Sequence, residues 1–234
     1  MAALSLKQFS LMARTGALEA IRTIEDGSIT FLYRPRVEEQ HPHELDDVQK
    51  LLLLLSPAGS AFQRVIAVGR KRLPASARRE RFWGFVDLVL THYDMHAALG
   101  AQVYGTKTRG LRHLPAARAF AEGTYEITSH EGHAHFSWRL THCSTEDPVA
   151  PEMQIEDEAD YILTVANPDP GAWGLVEVPD LQSSLFDDLE LHVPLPNPFP
   201  PALQQRFHNR RFTQLDSTRW LDHPGAELVF LGAG

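Results

Sequence analysis

Apolar positions recur along this chain at two spacings, and the change from one to the other marks out its expected elements. Residues 4–23 place Leu4, Leu11, Leu18 and Ile21, with Phe9 and Met12 beside them, at mostly helical intervals before Asp26-Gly27. This predicts an N-terminal amphipathic helix or extension over 1–27, ending in a turn. In SITFLYRPRVE the period becomes two: Ile29, Phe31 and Tyr33 alternate with polar residues. Pro35 cannot donate a ladder hydrogen bond, so this strand is expected at an edge. VQKLLLLLS and FQRVIAVGR are two more strand-like runs, separated by Pro57-Ala58-Gly59-Ser60 as hairpin turn. The unbroken aliphatic run Leu51–Leu55 reads as a buried strand.

Beyond Pro74, a residue suited to a first helical turn, Phe82, Phe85, Val86, Val89, Leu90 and Tyr93 return at helical intervals up to Gly100. A long helix packed on the preceding strands is expected there. A second round begins at Gly123 with the hairpin pattern TYEITSHEGHAHFSWRLTH, the strand DYILTVANP, a helix in PALQQRFHNRRF and a last strand in AELVFLGA. Eight prolines between 168 and 201 predict a long surface loop. The expected fold class is therefore α+β. Two small mixed sheet-and-helix units, residues 28–120 and 121–234, pack together, and the second carries the Pro-rich loop.

Length and composition place limits on function. A chain of 234 residues, 43% apolar and 22% charged, can bury a globular core. Its single cysteine, Cys143, cannot form an internal bridge, and Lys7 and Arg14 interrupt the start where a secretory leader needs an apolar stretch. Leu51–Leu55 is far shorter than the roughly 20 residues that span a bilayer. A cytoplasmic protein without a membrane partner is expected.

Charge changes the picture more. The net charge is −8, yet residues 64–118 hold eleven Lys and Arg against Glu80, Asp87 and Asp94, while both flanks are acidic. Such asymmetry points to an anionic partner, nucleic acid or an acidic protein surface, or to neutralisation by the acidic C-terminal part. RLPASAR (72–78) and HLPAAR (113–118) echo one another, each reading as a helix start behind basic residues. A helix N-terminus exposes unpaired N–H groups, so Arg70, Lys71 and Arg72 with Lys107, Arg109 and Arg112 are the expected anion-binding residues. Arg34 and Arg36 would extend that surface. Trp83 and Phe82 beside Arg79 and Arg81 could stack on bases if exposed, although the spacing favours Phe82 as core.

HEGHAHF resembles the zinc motif HExxH, but its second His falls one residue short of helix-face geometry. As a hairpin turning at Glu131-Gly132, it sets His130 opposite His133 and places His133 and His135 on one face. Tyr125, Ile127, Ala134, Phe136, Trp138 and Leu140 take the other. Three imidazoles, with His142 or Cys143 near, could hold a transition metal; a solvated histidine-rich tip is the plainer reading. His92 and His96 flank Asp94 at helical spacing with no evident third ligand, and read as surface. GxSxG, Gly-rich phosphate loops and CxxC are all absent from the sequence, and no carboxylate pair is singled out as acid and base.

FLYRPRV, VGRKRLP, RFWGFVD, TKTRGLRHLPAAR, HEGHAHFSW and the stretch from RRF to GAELVFLGA resemble an uncharacterised bacterial family of similar length, from about residue 28 to the C-terminus. The resemblance implies a non-secreted bacterial polypeptide and carries no activity, cofactor or partner. The expected function is non-enzymatic binding of a polyanion through the basic segment. One alternative is a metal-dependent hydrolase at His130, His133 and His135. The other is an interaction or scaffold protein that forms homo-oligomers through its Pro-rich segment and exposed strand edges.

Overall fold

The computed structural model of this protein describes residues 21–130, 132–169 and 197–234. Strands dominate: β1 (Arg22–Pro35), β2 (Val48–Pro57), β3 (Phe62–Val68), β4 (Arg81–Thr91), β5 (Gln102–Thr106), β6 (Gly110–Leu114), β7 (Arg118–His130), β8 (His133–Cys143), β9 (Glu158–Ala166), β10 (Phe212–Gln214) and β11 (Glu227–Gly232). The helices are short: α1 (His92–Leu99) and α2 (Pro201–Gln204). Eight strands pair in the order β1-β2-β3-β4-β11-β9-β8-β7, and β7 pairs with β1, so the sheet closes on itself. Every pairing is antiparallel; β10 adds outside β9, and β5 with β6 forms a separate two-stranded ribbon. This closed barrel replaces the expected α+β pair of units, because β11, from the end of the chain, inserts between β9 and β4.

Side chains fill the lumen. Phe31, Phe82, Phe136, Trp138, Tyr161 and Phe230 are buried and touch ring to ring, with Phe82 stacked on Phe230 at 4.6 Å and Trp138 on Tyr161 at 5.2 Å. A barrel of eight strands is just wide enough for side chains to fill it.

β4 is the largest departure from expectation, since it occupies the middle of the anticipated long helix, of which only His92–Leu99 is helical. Val65 pairs with Leu88 and Ile66 with Val86, so Asp87 is an extra, bulged residue. The bulge flips the face of everything after it. Phe82, Val86 and Val89 pack on the lumen core, while Phe85, Leu88 and Leu90 pack on a second cluster outside the barrel. A strand with one bulge and two apolar faces reproduces the three- and four-residue intervals of a helix. Asp26-Gly27, expected as a turn, lies inside β1, where a Cβ on Gly27 would sit 2.2 Å from the Ser56 carbonyl oxygen. Most of the expected N-terminal helix, and most of the Pro-rich loop, lie outside the described residues.

The second apolar cluster has a topological cause. β4 and β7 run in the same direction, so residues 92–117 must return along the outside of the barrel. Thr91 caps α1 by accepting a hydrogen bond from the Asp94 N–H, and Met95 seals Leu32, Leu52, Val65 and Ala67 beneath the helix. Arg34, on the outer face of β1, holds the crossover: its guanidinium donates to the carbonyls of Pro115 (2.8 Å), Ala98 (3.1 Å) and Gly100 (3.3 Å). Burial lowers its pKa from the ordinary value, and Asp87 works against that shift. Arg34→Ala leaves three carbonyls without their donor and should cost about 3 kcal/mol. A chemical denaturation midpoint within error of wild type would show that the crossover does not depend on this contact.

Candidate anion-binding surface

Antiparallel topology brings the two expected basic groups to the same end of the barrel. Arg70, Lys71 and Arg72 lie in the β3–β4 connection; Lys107 and Arg109 lie at the β5–β6 turn, with Arg112 on β6. Neither group stands at a helix start. Residues 72–80 form turns that lead into β4, and 115–117 lead directly into β7. The two LPA echoes are therefore loop anchors. Leu73 and Pro74 are buried, the Leu73 N–H donates to the Met153 carbonyl (3.3 Å), and the Tyr161 hydroxyl donates to the Pro74 carbonyl (2.5 Å). Burial, and then the Glu156 carboxylate, raise the pKa of that phenol.

The β1–β2 connection, residues 36–47, spans the space between the groups. On one side Lys71 Nζ donates to the Leu45 carbonyl (3.2 Å) and lies 3.9 Å from Asp46. Burial lowers the Lys71 pKa and the Arg36 charge lowers it further, while Asp46 and Asp47 oppose them. On the other side Glu38 pairs with Arg112 (3.5 Å) and accepts from the His113 N–H (2.9 Å), which holds its carboxyl below the ordinary range. Asp47 is held low in the same way by the His43 N–H. Two of the six expected cations are thus tied to acidic residues of this loop. Arg70, Arg72, Lys107 and Arg109 are exposed, and so are Arg79 and Arg81; among the described residues none of the six has an ion-pair partner. Arg34 is buried under the crossover and does not belong to the surface, whereas Arg36 is exposed there. Phe82 belongs to the core and Trp83 is half-buried beside Phe212, so neither offers an open stacking face.

The histidine hairpin has the register expected of it, His130 opposite His133 and Ile127 opposite Phe136, with Phe136 and Trp138 in the lumen. His133 is exposed, and His135 Nδ1 is engaged by both Asp160 carboxylate oxygens at 3.1 Å. No group of three metal-capable side chains occurs among the described residues. His92 and His96 are both exposed on α1.

The opposite end holds a polar network that inspection of the sequence did not single out. Arg64 reaches across the lumen from β3, doubly bonded to Glu25 (2.6 and 2.7 Å) and bonded to Asp222 through Nε (2.9 Å) and Nη2 (2.7 Å). Tyr125 donates to Glu25 at 2.7 Å; burial, then the Glu25 carboxylate, raise its pKa. Burial alone would discourage the Arg64 charge, but the two carboxylates hold its pKa above the ordinary value. The signal was parity: Arg64 shares its strand face with Ile66 and Val68, and Glu25 shares its face with Ile29. Among the described residues no buried side-chain nitrogen or oxygen lacks a partner, and Asp222 carries the network out to the surface. It anchors a 3-10 turn, Thr218–Asp222, whose buried Trp220 caps the barrel against Phe199 and Phe207. A crevice of about 430 Å³ beside this cap is walled by Leu203, Arg206, Arg219 and His223, and its Arg206 is paired with Asp216.

His135 gives a pH test of this face. The hydrogen bond to Asp160 raises the imidazole pKa against the opposing effect of burial, and the carboxylate charge adds to the rise. A folded-state pKa above the unfolded one means that the contribution is complete below the ordinary value near 6.5 and is lost as pH rises through the raised value. Melting temperatures across that window should fall more in wild type than in His135→Gln; parallel profiles would refute the pairing. In comparisons with protein-family models, curated proteins and solved structures, nothing matches this chain.

Proposed function

We propose that this protein is a non-enzymatic binding protein that takes a polyanion on the basic end of its barrel. The observation that carries the reading is that Arg70, Arg72, Arg79, Arg81, Lys107 and Arg109 are exposed, lack ion-pair partners among the described residues, and come from two connections at one end. Surface cations already paired contribute little to association, whereas unpaired ones release counterions from a phosphate chain. The filled lumen favours binding at a rim over chemistry in a cavity. Arg36 and the partly tied Lys71 and Arg112 stand at the edge of the same surface. Neither a metal nor a catalytic residue is part of the reading.

Fluorescence anisotropy with labelled polyphosphate and labelled single-stranded DNA tests it. Affinity should fall steeply with salt. Arg70→Gln/Arg72→Gln and Lys107→Gln/Arg109→Gln should each flatten the log–log salt slope by roughly 1.5 to 2, one contact per cation removed. Absence of binding at low salt, or a slope unchanged in both double variants, rejects the proposal.

A further inference from the structure

Four large apolar residues are exposed among the described residues, and their placement separates the kinds of polyanion this end can meet. Phe62 (53%) begins β3 and Tyr93 (85%) stands in the first turn of α1; both lie at the end that carries the Arg64 network. Val103 (61%) and Leu111 (72%) stand on the β5–β6 ribbon. Val103 pairs with His113 and Gly105 with Leu111, so the two aliphatic side chains share one face as diagonal neighbours, a few residues from Lys107 and Arg109 at the turn. The ribbon hangs from the crossover by the Ala117 N–H to Leu99 carbonyl bond and leans on the β1–β2 connection through Glu38. It makes no strand pairing with the barrel.

Single-stranded nucleic acid is held by aromatic platforms set among cations, and the exposed aromatic residues here are at the wrong end. An aliphatic pair flanked by cations on a projecting ribbon suits an interface whose outer layer is anionic and whose interior is apolar. Resting on the polyanion reading above, we infer that the polyanion is an anionic lipid surface. Val103 and Leu111 enter the headgroup–acyl boundary, while Lys107, Arg109, Arg70 and Arg72 engage lipid phosphates around them. The short aliphatic run that ruled out a membrane span does not bear on such contact, because a docked ribbon crosses nothing.

Co-sedimentation with phosphatidylcholine vesicles, with and without phosphatidylglycerol, is the test, run beside the polyphosphate titration on the same preparations. Wild type should partition onto the anionic vesicles alone and lose them with salt. Lys107→Gln/Arg109→Gln should weaken partitioning roughly 25-fold, about fivefold per cation. Val103→Ser/Leu111→Ser should weaken it at least roughly fivefold while leaving polyphosphate affinity unchanged. Leu111→Trp should bind vesicles more tightly, with a blue shift in its fluorescence on binding. Vesicle binding that ignores the serine variants, or binding of polyphosphate or DNA without any binding of vesicles, overturns the lipid inference and leaves the polyanion reading standing. If neither vesicles nor polyphosphate bind at low salt, both fall.

Discussion

The common direction of β4 and β7 is the constraint from which most of this structure follows. Two parallel neighbours-but-for-β1-to-β3 cannot be joined by a tight turn, so the chain between them must travel back along the outside of the barrel. That path removes one outer face of β1, β2 and β3 from water, and the sequence of β2 answers it: Leu51, Leu53 and Leu55 face the lumen while Leu52 and Leu54 face the crossover. It also explains a buried guanidinium. Arg34 sits where the crossover breaks its own hydrogen bonding, and three carbonyls that leave α1 and the ribbon converge on it. The route delivers β5 and β6 to the end where the β3–β4 connection also emerges, and so places cations some forty residues apart at one end of the barrel.

How much of this could be read in advance depended on whether each strand kept one simple face. The β2–β3 and β7–β8 hairpins, β9 and β11 were legible because turn residues bound them and most of their inward positions are apolar, Arg64 on β3 being an exception. β4 was not, because the bulge at Asp87 converts a two-residue period into helical intervals. The beginning of β1 was hidden by Glu25 facing inward and by Gly27, whose lack of a side chain serves close strand approach; Gly123 does the same for β7, where a Cβ would lie 2.2 Å from the Arg139 carbonyl oxygen. Closure itself was out of reach. It rests on β1 pairing with β7 and β4 with β11, contacts that no local pattern encodes.

The candidate surface was legible in a different sense: its residues were readable and its mechanism was not. Charge counting found Arg70, Arg72, Lys107 and Arg109, which are exposed at one end, but the helix N-termini that were to assist them do not exist. Nor does the basic segment act as one body. Arg64 is spent inside the barrel on Glu25 and Asp222, and Arg112 and Lys71 meet Glu38 and Asp46. Of the neutralisation expected from the acidic C-terminal part, these contacts supply only Asp222; Glu25, Glu38 and Asp46 all precede the basic segment in the chain.

A packed lumen decides where this protein can interact. Phe31, Phe82, Phe136, Trp138, Tyr161 and Phe230 occupy the space that wider or emptier barrels give to a ligand, and each large-to-small change among such residues costs roughly 3 to 5 kcal/mol in a core of this kind. Evacuating the lumen for a guest therefore competes with the stability of the fold itself. The rim faces no such conflict: the β3–β4 connection is anchored by Leu73 and Pro74, the ribbon by Glu38 and the crossover, and their cations project from backbone that is already fixed. Binding there costs little ordering of the chain. On the proposed reading it draws its free energy from the six exposed cations without an ion-pair partner among the described residues, so these, more than the net charge, set what this end of the barrel can hold.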